Sequence, residues 1–205
     1  LNLEAVGVRR QRRRLHLNQK LQTTNSHIYA CGDAIGGYQF AHIANYEAKI
    51  ALQNALQNAL FSPQYKVDYH SIPWLVCTDP PLARVGFTVT QARQKYGNDV
   101  LVLQQYFKTL TVAQIRDEMT GICQVVVRRN GTILGAAIIG SQAGELINVI
   151  ALAIAQQLKI DAIAHLVPVY PSWGEILAQT ANEYLSTPLE RRNWLQKLLA
   201  KIGCR

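Results

Sequence analysis

The segment TTNSHIYACGDAIGGYQFAHIANYEAKIALQNAL, residues 23–56, constrains the fold more than any other part of the chain. Its apolar run HIYAC predicts a short buried strand, and a glycine-punctuated loop follows. A helix is predicted from near Phe40 to about Leu60. A strand ending in Asp33, then a glycine turn and a helix N-terminus, suits a polyhydroxylated or anionic ligand, because the carboxylate accepts hydrogen bonds and free helix N–H groups face electron-rich oxygens. For an isolated Gly-Asp pair we would favour the simpler interpretation, a loop cap.

The remainder of the chain has a different pattern. FSPQYKVDYHSIP, with two prolines and mixed polarity, predicts a domain boundary. Residues from about 70 to 185 predict an α+β fold, an antiparallel sheet with helices packed on it, in which Asn130-Gly131 suits a type I′ hairpin turn. The predicted strands are WLVCT, ARVGF, VLVLQQY and both arms of GICQVVVRRNGTILGAAIIG; the predicted helices are TVTQARQKYG, AGELINVIALAIAQQLKI with one strongly buried face, a short one from Asp161, and SWGEILAQTANEY.

The net charge of +8 is concentrated at the two ends of the chain. Residues 1–20 carry six Lys or Arg and one Glu, and residues 189–205 carry five and one, so the middle is close to neutral. A nucleic-acid groove needs cations distributed along a folded face, and we therefore predict no nucleic-acid partner. No apolar run is long enough to cross a bilayer and no signal-peptide core is present, so we expect a soluble, cytoplasmic protein.

Four cysteines, Cys31, Cys77, Cys123 and Cys204, lie far apart in the sequence. They form no CxxC or CxxxxC pair, which excludes a zinc ribbon and a redox dithiol made from near neighbours. We predict no metal-binding residues. Cys77 and Cys123 lie in strand-like apolar runs and are expected to be buried and inert, whereas Cys204 is expected to be exposed.

Several motifs occur in a characteristic order. LNLEAVGV and LQTTN precede IYACGD and the Ala41-His42 pair; IPWLVCTDPPLARVGFT, GEL and VPVYPSWGE follow. Together they resemble the pyridine-nucleotide disulfide oxidoreductases, and GGYQFAHIA looks most like the branch with dihydrolipoamide dehydrogenases and mercuric reductases. The resemblance covers nearly everything from residue 1 to about residue 185.

The resemblance implies a domain organisation and a flavin site. Residues 1–65 would be the last strand and helix of an FAD-binding Rossmann-type domain, residues 66–186 a dimerisation domain that forms a homodimer, and residues 187–205 a basic C-terminal helix. Asp33 would hydrogen-bond the ribityl chain of FAD. The backbone at Gln39, Phe40, Ala41 and His42 would contact the flavin ring, with His42 near flavin but not acting as a base.

Three features of that family are absent from this sequence: the GxGxxG loop, the CxxxxC disulfide and the NAD(P) domain. A dinucleotide needs its pyrophosphate held by the glycine loop, so we do not expect this chain alone to retain FAD. We expect the C-terminal part of a flavoenzyme whose full-length parent uses FAD and NAD(P)H and reduces a disulfide or a thiol-bound metal ion. The missing N-terminal FAD and NAD(P) region would be its partner, and the chain alone would be inactive.

The stretch VYPSWGE, residues 169–175, carries the predicted catalytic residues Tyr170 and Glu175. Their spacing matches the family's H-P-x-x-x-E segment, in which His accepts the dithiol proton across the dimer interface and Glu orients it. Tyr170 stands in place of that His. Because tyrosine is a poor base near neutral pH but a serviceable hydrogen-bond donor, we expect a cross-subunit or substrate-facing hydrogen bond. The spacing by itself supports only a helix start, with Pro171 before the helix and Glu175 in its first turn.

Two other classes of function remain open from the sequence. One is a stand-alone dimeric interaction module. The other is a membrane-surface or nucleic-acid-binding protein with basic tails, since LERRNWLQKLLAKIGCR places leucines on one helical face beside positive charge. For that last segment we favour a helix that packs on its own domain.

Overall fold

The computed structural model describes residues 1–11, 14–56 and 65–186 of the chain. The chain divides into two compact units, Leu1–Tyr69 and His70–Arg205. The domain ranges 1–65 and 66–186 stay a prediction, and the predicted basic helix at 187–205 lies outside the described residues.

The first unit is built around one helix. Its elements are strands β1 (Arg10–Gln11) and β2 (Arg14–Leu15), paired antiparallel, short 3-10 turns at Glu4–Val6 and Gly32–Ile35, and helix α1 (Ala41–Leu56). Apolar and polar side chains recur every three or four positions on the buried face of α1, which is the spacing of one helical stripe. The buried residues of α1 are Ile43, Glu47, Ile50, Ala51 and Asn54.

The strand predicted over HIYAC, residues 27–31, is wrong for this structure. Only Tyr29 makes a β-bridge, with Gln22, and no strand is assigned among residues 27–31. A buried strand needs neighbouring strands on its sides to complete its backbone hydrogen bonds. Among the described residues of this unit, the Gln22 bridge is the only strand-like partner of the segment.

The second unit is an α+β fold, as predicted. Five strands form one antiparallel sheet in the order β3-β4-β7-β6-β5. Its strands are β3 (Trp74–Val76), β4 (Leu82–Gly86), β5 (Val100–Tyr106), β6 (Ile122–Arg128) and β7 (Ile133–Ile139); its helices are α2 (Val89–Tyr96), α3 (Thr111–Ile115), α4 (Ala143–Ala155), α5 (Ile160–Ala164) and α6 (Glu175–Ser186). No helix among the described residues has the length and apolarity needed to cross a membrane.

Helix α4 supplies much of the core of this unit. Its predicted buried face is confirmed at Leu146, Ile147, Ile150 and Ile154, which pack in the same cluster as the central strands. The same helical spacing also predicts Ala155 and Leu158 on this face, but the buried face ends before them. Ala155 closes the helix at an exposed position, and Leu158 lies beyond the helix and is exposed.

The hairpin between β6 and β7 forms where predicted, but the prediction of a type I′ turn was wrong. The N–H of Gly131 donates to the carbonyl of Arg128 at 2.9 Å, so the central residues are Arg129 and Asn130. Gly131 has φ +86°, whereas Asn130 does not have a positive φ. A type I′ turn needs two positive φ angles, and a three-residue loop with one left-handed glycine replaces it here.

The cysteine prediction is half confirmed. Cys123 is fully buried in β6, but Cys77 is exposed. Cys77 directly follows the end of the short edge strand β3, so it belongs to the loop and not to the buried sheet. Cys204 lies outside the described residues.

Candidate functional site

The turn that carries Asp33 is held tightly against helix α1. Gly32 is buried with φ +66°, and a Cβ at this position would lie 3.1 Å from the Cβ of Ala44. Both the positive φ and the close approach favour glycine. Asp33, the next residue, has an exposed side chain. The turn therefore presents a carboxylate to the outside from a backbone fixed on the helix.

A buried carboxylate on helix α1 accepts a hydrogen bond from the same turn. Glu47 of α1 is fully buried, and its Oε2 accepts a hydrogen bond from the Gly32 N–H at 2.6 Å. Its Oε1 accepts a hydrogen bond from the Tyr69 hydroxyl at 2.7 Å. Burial, reinforced by the bond to Glu47, raises the pKa of the Tyr69 phenol above its ordinary value. Tyr69 therefore stays a neutral donor over the whole physiological range.

The other predicted cofactor-binding residues lie at the start of α1. Ala41 is the first residue of the helix; Gln39, Ala41 and His42 are exposed, and Phe40 is half-buried. The rings of Phe40 and His42 lie 5.7 Å apart between centroids. The Phe40 carbonyl accepts from the N–H groups of the first turn at 2.9 Å and 3.1 Å. The beginning of this 16-residue helix thus lies at the surface, with Gln39, Ala41 and His42 exposed.

The first unit also contains a cleft of about 960 Å³. Ile35 of the Asp33 turn, Tyr69, and the basic side chains of Arg14 and His16 line it. None of the predicted cofactor-binding residues belongs to its described lining. The cleft adjoins the Asp33 turn through Ile35.

The predicted pair Tyr170 and Glu175 has separate hydrogen-bond partners. The Tyr170 hydroxyl, on a side chain that is 69% exposed, donates to the Thr111 hydroxyl at 3.2 Å. The Glu175 Oε1 accepts from the Ser172 N–H at 2.8 Å and lies in the first turn of α6. Glu175 therefore begins helix α6 and accepts a hydrogen bond from the backbone just before it, as the helix-start interpretation predicts.

The segment between these two residues is anchored by an aromatic contact. The ring centroids of Trp173 and Phe107 lie 5.7 Å apart, and Phe107 is fully buried. A peptide with cis geometry joins Tyr170 to Pro171. Trp173 thus ties the segment to the core while Tyr170 stays at the surface.

Thr111, Ser172 and the Glu47–Tyr69 pair are site residues that the sequence analysis missed. Glu47 had a detectable signal, because it is a charged residue on the apolar stripe that runs through Ile43 and Ile50. The partners of Tyr170 and Glu47 had none, since they are 59 and 22 residues away along the chain. Among the described residues, no group of three or more His, Cys, Asp or Glu is arranged to hold a metal ion.

Comparisons with known proteins extend this picture. The model of the "Pyridine nucleotide-disulphide oxidoreductase, dimerisation domain" family matches residues 72–181, more than half of the chain. The chain therefore belongs to the pyridine nucleotide-disulfide oxidoreductase family, through its dimerisation domain.

Curated relatives and solved structures agree with this assignment. The dihydrolipoyl dehydrogenase of Geobacillus stearothermophilus is 34% identical over 191 residues, covering 92% of this chain and 39% of that protein. The dihydrolipoyl dehydrogenase of Synechocystis is 35% identical over 187 residues, covering 86% and 38%. The HOCl-induced flavoprotein disulfide reductase of Escherichia coli superposes with a TM-score of 0.78 at 26% identity, covering 89% and 41%. The chain thus spans about two fifths of the length of the proteins that it matches.

Proposed function

We propose that this chain supplies the C-terminal part of an FAD-dependent NAD(P)H oxidoreductase that acts on a disulfide or on a thiol-bound metal ion. The chain contributes a dimer interface and part of the flavin and substrate sites, and it is inactive alone. The extent of the match carries this proposal. Similarity to a dihydrolipoyl dehydrogenase covers 92% of the chain, so it continues beyond the dimerisation domain into the unit that holds Asp33.

The residues present fit the flavin end of FAD. Asp33 is exposed on a turn fixed by Gly32, and Gln39, Ala41 and His42 are exposed at the start of α1 beyond it. We assign to the Asp33 carboxylate the hydrogen bond from a ribityl hydroxyl, and to the backbone at Gln39, Phe40, Ala41 and His42 the contact with the ring. Bound FAD supplies the relay of electrons from NAD(P)H to the acceptor.

The same residues do not provide for the whole dinucleotide. The sequence contains no GxGxxG loop to hold the pyrophosphate. Tight binding of FAD therefore requires the N-terminal FAD and NAD(P) region, which we propose as the missing part of the parent protein.

We propose that Tyr170 faces the partner subunit or the substrate as a hydrogen-bond donor. Tyr170 is 69% exposed and its hydroxyl bonds to Thr111 at the surface, an arrangement that suits contact with a neighbouring molecule. Glu175 holds the start of α6 and so keeps the segment before it in place. In this arrangement Glu175 acts through the backbone and not as a proton acceptor.

The dimer interface is proposed to include exposed apolar side chains of the second unit. Leu152 on the outer side of α4 is 62% exposed, and Val167, between α5 and α6, is 90% exposed. The match of this unit to a dimerisation-domain family supports an interface on its surface. We propose a second copy of this chain as that partner, in the cytoplasm.

A stand-alone dimeric module is the second candidate function. It is favoured by the core of the second unit, in which Phe107, Ile138 and Ile150 belong to one buried cluster. This unit thus has the packing needed for a self-contained interaction domain.

One comparison tests both candidates: the chain alone against a longer polypeptide that includes the upstream FAD and NAD(P) region. We expect the chain alone to be colourless and to have about twice its monomer mass of 22.9 kDa in solution. The longer polypeptide should bind FAD and oxidise NAD(P)H. In it, Asp33→Asn should weaken FAD binding about tenfold, because a hydrogen bond to a charged group contributes about 1.5–3 kcal/mol.

Each outcome separates the candidates. A chain that binds FAD stoichiometrically by itself contradicts the inactive-alone part of the proposal. A longer polypeptide that neither binds flavin nor oxidises NAD(P)H rejects the enzyme and leaves the interaction module. Binding of this chain to DNA or anionic vesicles at moderate salt would instead support the basic-tail class.

A further inference from the structure

Glu47 is a buried carboxylate whose role the proposed function does not specify. It lies on the inner face of α1 with no exposed surface, and both of its oxygens are used. Its two hydrogen-bond donors are neutral: the Gly32 N–H and the Tyr69 hydroxyl. Burial of a carboxylate beside neutral donors costs free energy. A carboxylate at this position is therefore explained only if the site needs a property that an apolar side chain lacks.

That requirement is the bridging of two donors. A carboxylate can accept from both sides at once, whereas the amide of Gln has one acceptor and one donor end. Glu47 connects two segments that are far apart in sequence, the turn at Gly32 and the loop that contains Tyr69. Both distances, 2.6 Å and 2.7 Å, are those of direct hydrogen bonds.

Each of the two donors lies next to one part of the proposed flavin site: Gly32 next to the ribityl contact, and Tyr69 next to the residue that precedes the ring contacts. Gly32 directly precedes Asp33, so the bond to its N–H fixes the Cys31–Gly32 peptide, one residue before the Cα from which the Asp33 carboxylate projects. Tyr69 packs on Tyr38, with ring centroids 5.6 Å apart, and Tyr38 directly precedes Gln39. One carboxylate is therefore connected to both the ribityl contact and the ring contacts.

We propose that Glu47, together with Tyr69, is a positioning residue that sets the geometry of Asp33 and of residues 39–42 for flavin. This inference rests on the proposed function. Neither residue touches FAD in this arrangement; both act through the backbone and through Tyr38.

Helix α1 provides a matched control for a purely structural role. Asn54 lies two turns further along, is also buried, and also joins the helix to distant backbone, through Lys20 and Tyr65. It does not contact the Gly32 turn or Tyr69 through these bonds. Loss of Asn54 should weaken the fold without moving the flavin contacts.

The test uses Glu47→Leu, Glu47→Gln, Tyr69→Phe and the control Asn54→Leu. In this chain, amide hydrogen exchange at Gly32 should become at least about tenfold faster in Glu47→Leu and stay unchanged in Asn54→Leu, because only the first loses the acceptor of the Gly32 N–H. In the full-length flavoprotein, titration of the apoprotein with FAD should show binding weakened about tenfold in Glu47→Leu and several-fold in Tyr69→Phe. Glu47→Gln keeps an acceptor for Gly32 but not a second one for the Tyr69 hydroxyl, so its affinity should lie between those of Glu47→Leu and the wild type.

Failure of the inference is distinguishable from failure of the proposed function. If Asp33→Asn weakens FAD binding while Tyr69→Phe and both Glu47 variants stay within about twofold of the wild type, the positioning role is rejected alone. If Asp33→Asn also has no effect, the ribityl site is rejected, and the positioning role with it. If Asn54→Leu weakens FAD binding as much as Glu47→Leu does, Glu47 has only a structural role and the positioning role is rejected. Should Glu47→Leu not fold, Tyr69→Phe and Glu47→Gln decide the question.

Discussion

The Tyr170 hydroxyl donates to the Thr111 hydroxyl at 3.2 Å, and this bond joins the segment before α6 to the first residue of α3. It lies at the surface, where water competes for both hydroxyls. Tyr170 is therefore oriented by the fold without being buried in it.

Removing either hydroxyl should have little effect on stability. We expect Tyr170→Phe and Thr111→Val each to lower the free energy of unfolding by less than about 1 kcal/mol, because exposed hydrogen bonds contribute little. The double variant should match the larger single one, since both remove the same bond. Urea denaturation of all three measures this, and a loss of several kcal/mol would show instead that the bond belongs to the core of the unit.

Glu175 should contribute to stability as a helix start. Replacing it with Ala removes the acceptor of the Ser172 N–H and a negative charge in the first turn of α6, and should cost about 1 kcal/mol. Glu175→Gln should cost less, since its amide oxygen can still accept. Asn182→Ala, at an exposed position later in the same helix, is the control and should be nearly neutral. If Glu175→Ala is as neutral as this control in urea denaturation, the capping role is rejected.

The sheet of the second unit was predictable from the sequence, because its signals are local. VLVLQQY and the arms around Asn130-Gly131 are apolar runs bounded by turn residues, and they form β5, β6 and β7. The apolar spacing of α4 likewise predicts its buried face. The type I′ prediction failed because a dipeptide does not determine which pair of residues occupies the centre of the turn.

Features that depend on distant neighbours were not predictable in the same way. HIYAC has the composition of a strand, but residues 27–31 have only the Gln22 bridge as a strand-like contact among the described residues of their unit. The Glu47 site requires Gly32, Glu47 and Tyr69 to meet, and no spacing rule connects these three. The predicted Tyr170 and Glu175 are correctly placed around a helix start, yet their partners, Thr111 and Ser172, became visible only in the fold.

The buried thiol of Cys123 should be unreactive in the folded chain. Burial raises its pKa from 9.0 to about 12, and the smaller effect of the Thr180 hydroxyl acts in the opposite direction. A thiol-specific reagent near neutral pH should label Cys77, which is exposed, and should label Cys123 only after denaturant is added. Labelling of Cys123 at the rate of Cys77 in the native chain would contradict its burial.

The same thiol should make the fold sensitive to alkaline pH. Below pH 9 the thiol is protonated in both the folded and the unfolded chain, so its contribution is complete there. Between pH 9 and about 12 the unfolded chain loses this proton and the folded chain keeps it, so stability falls by up to about 1.4 kcal/mol per pH unit. Cys123→Ala should flatten this decline relative to Cys77→Ala when urea midpoints are compared across the range. An identical decline in both variants would assign it to other groups.

The proposed dimer can be tested on the outer side of α4. Leu152→Lys replaces an apolar side chain with a charged one. Leu152 is 62% exposed in the single chain and would be covered in the proposed dimer. A lysine left unpaired in an apolar interface should weaken dimerisation at least about tenfold while leaving the fold of the single chain intact. Leu56→Lys, at an exposed leucine of the first unit, is the matched control and should leave the dissociation constant unchanged. Sedimentation equilibrium over a range of concentrations measures both; equal weakening by the two variants, or none by Leu152→Lys, would place the interface elsewhere.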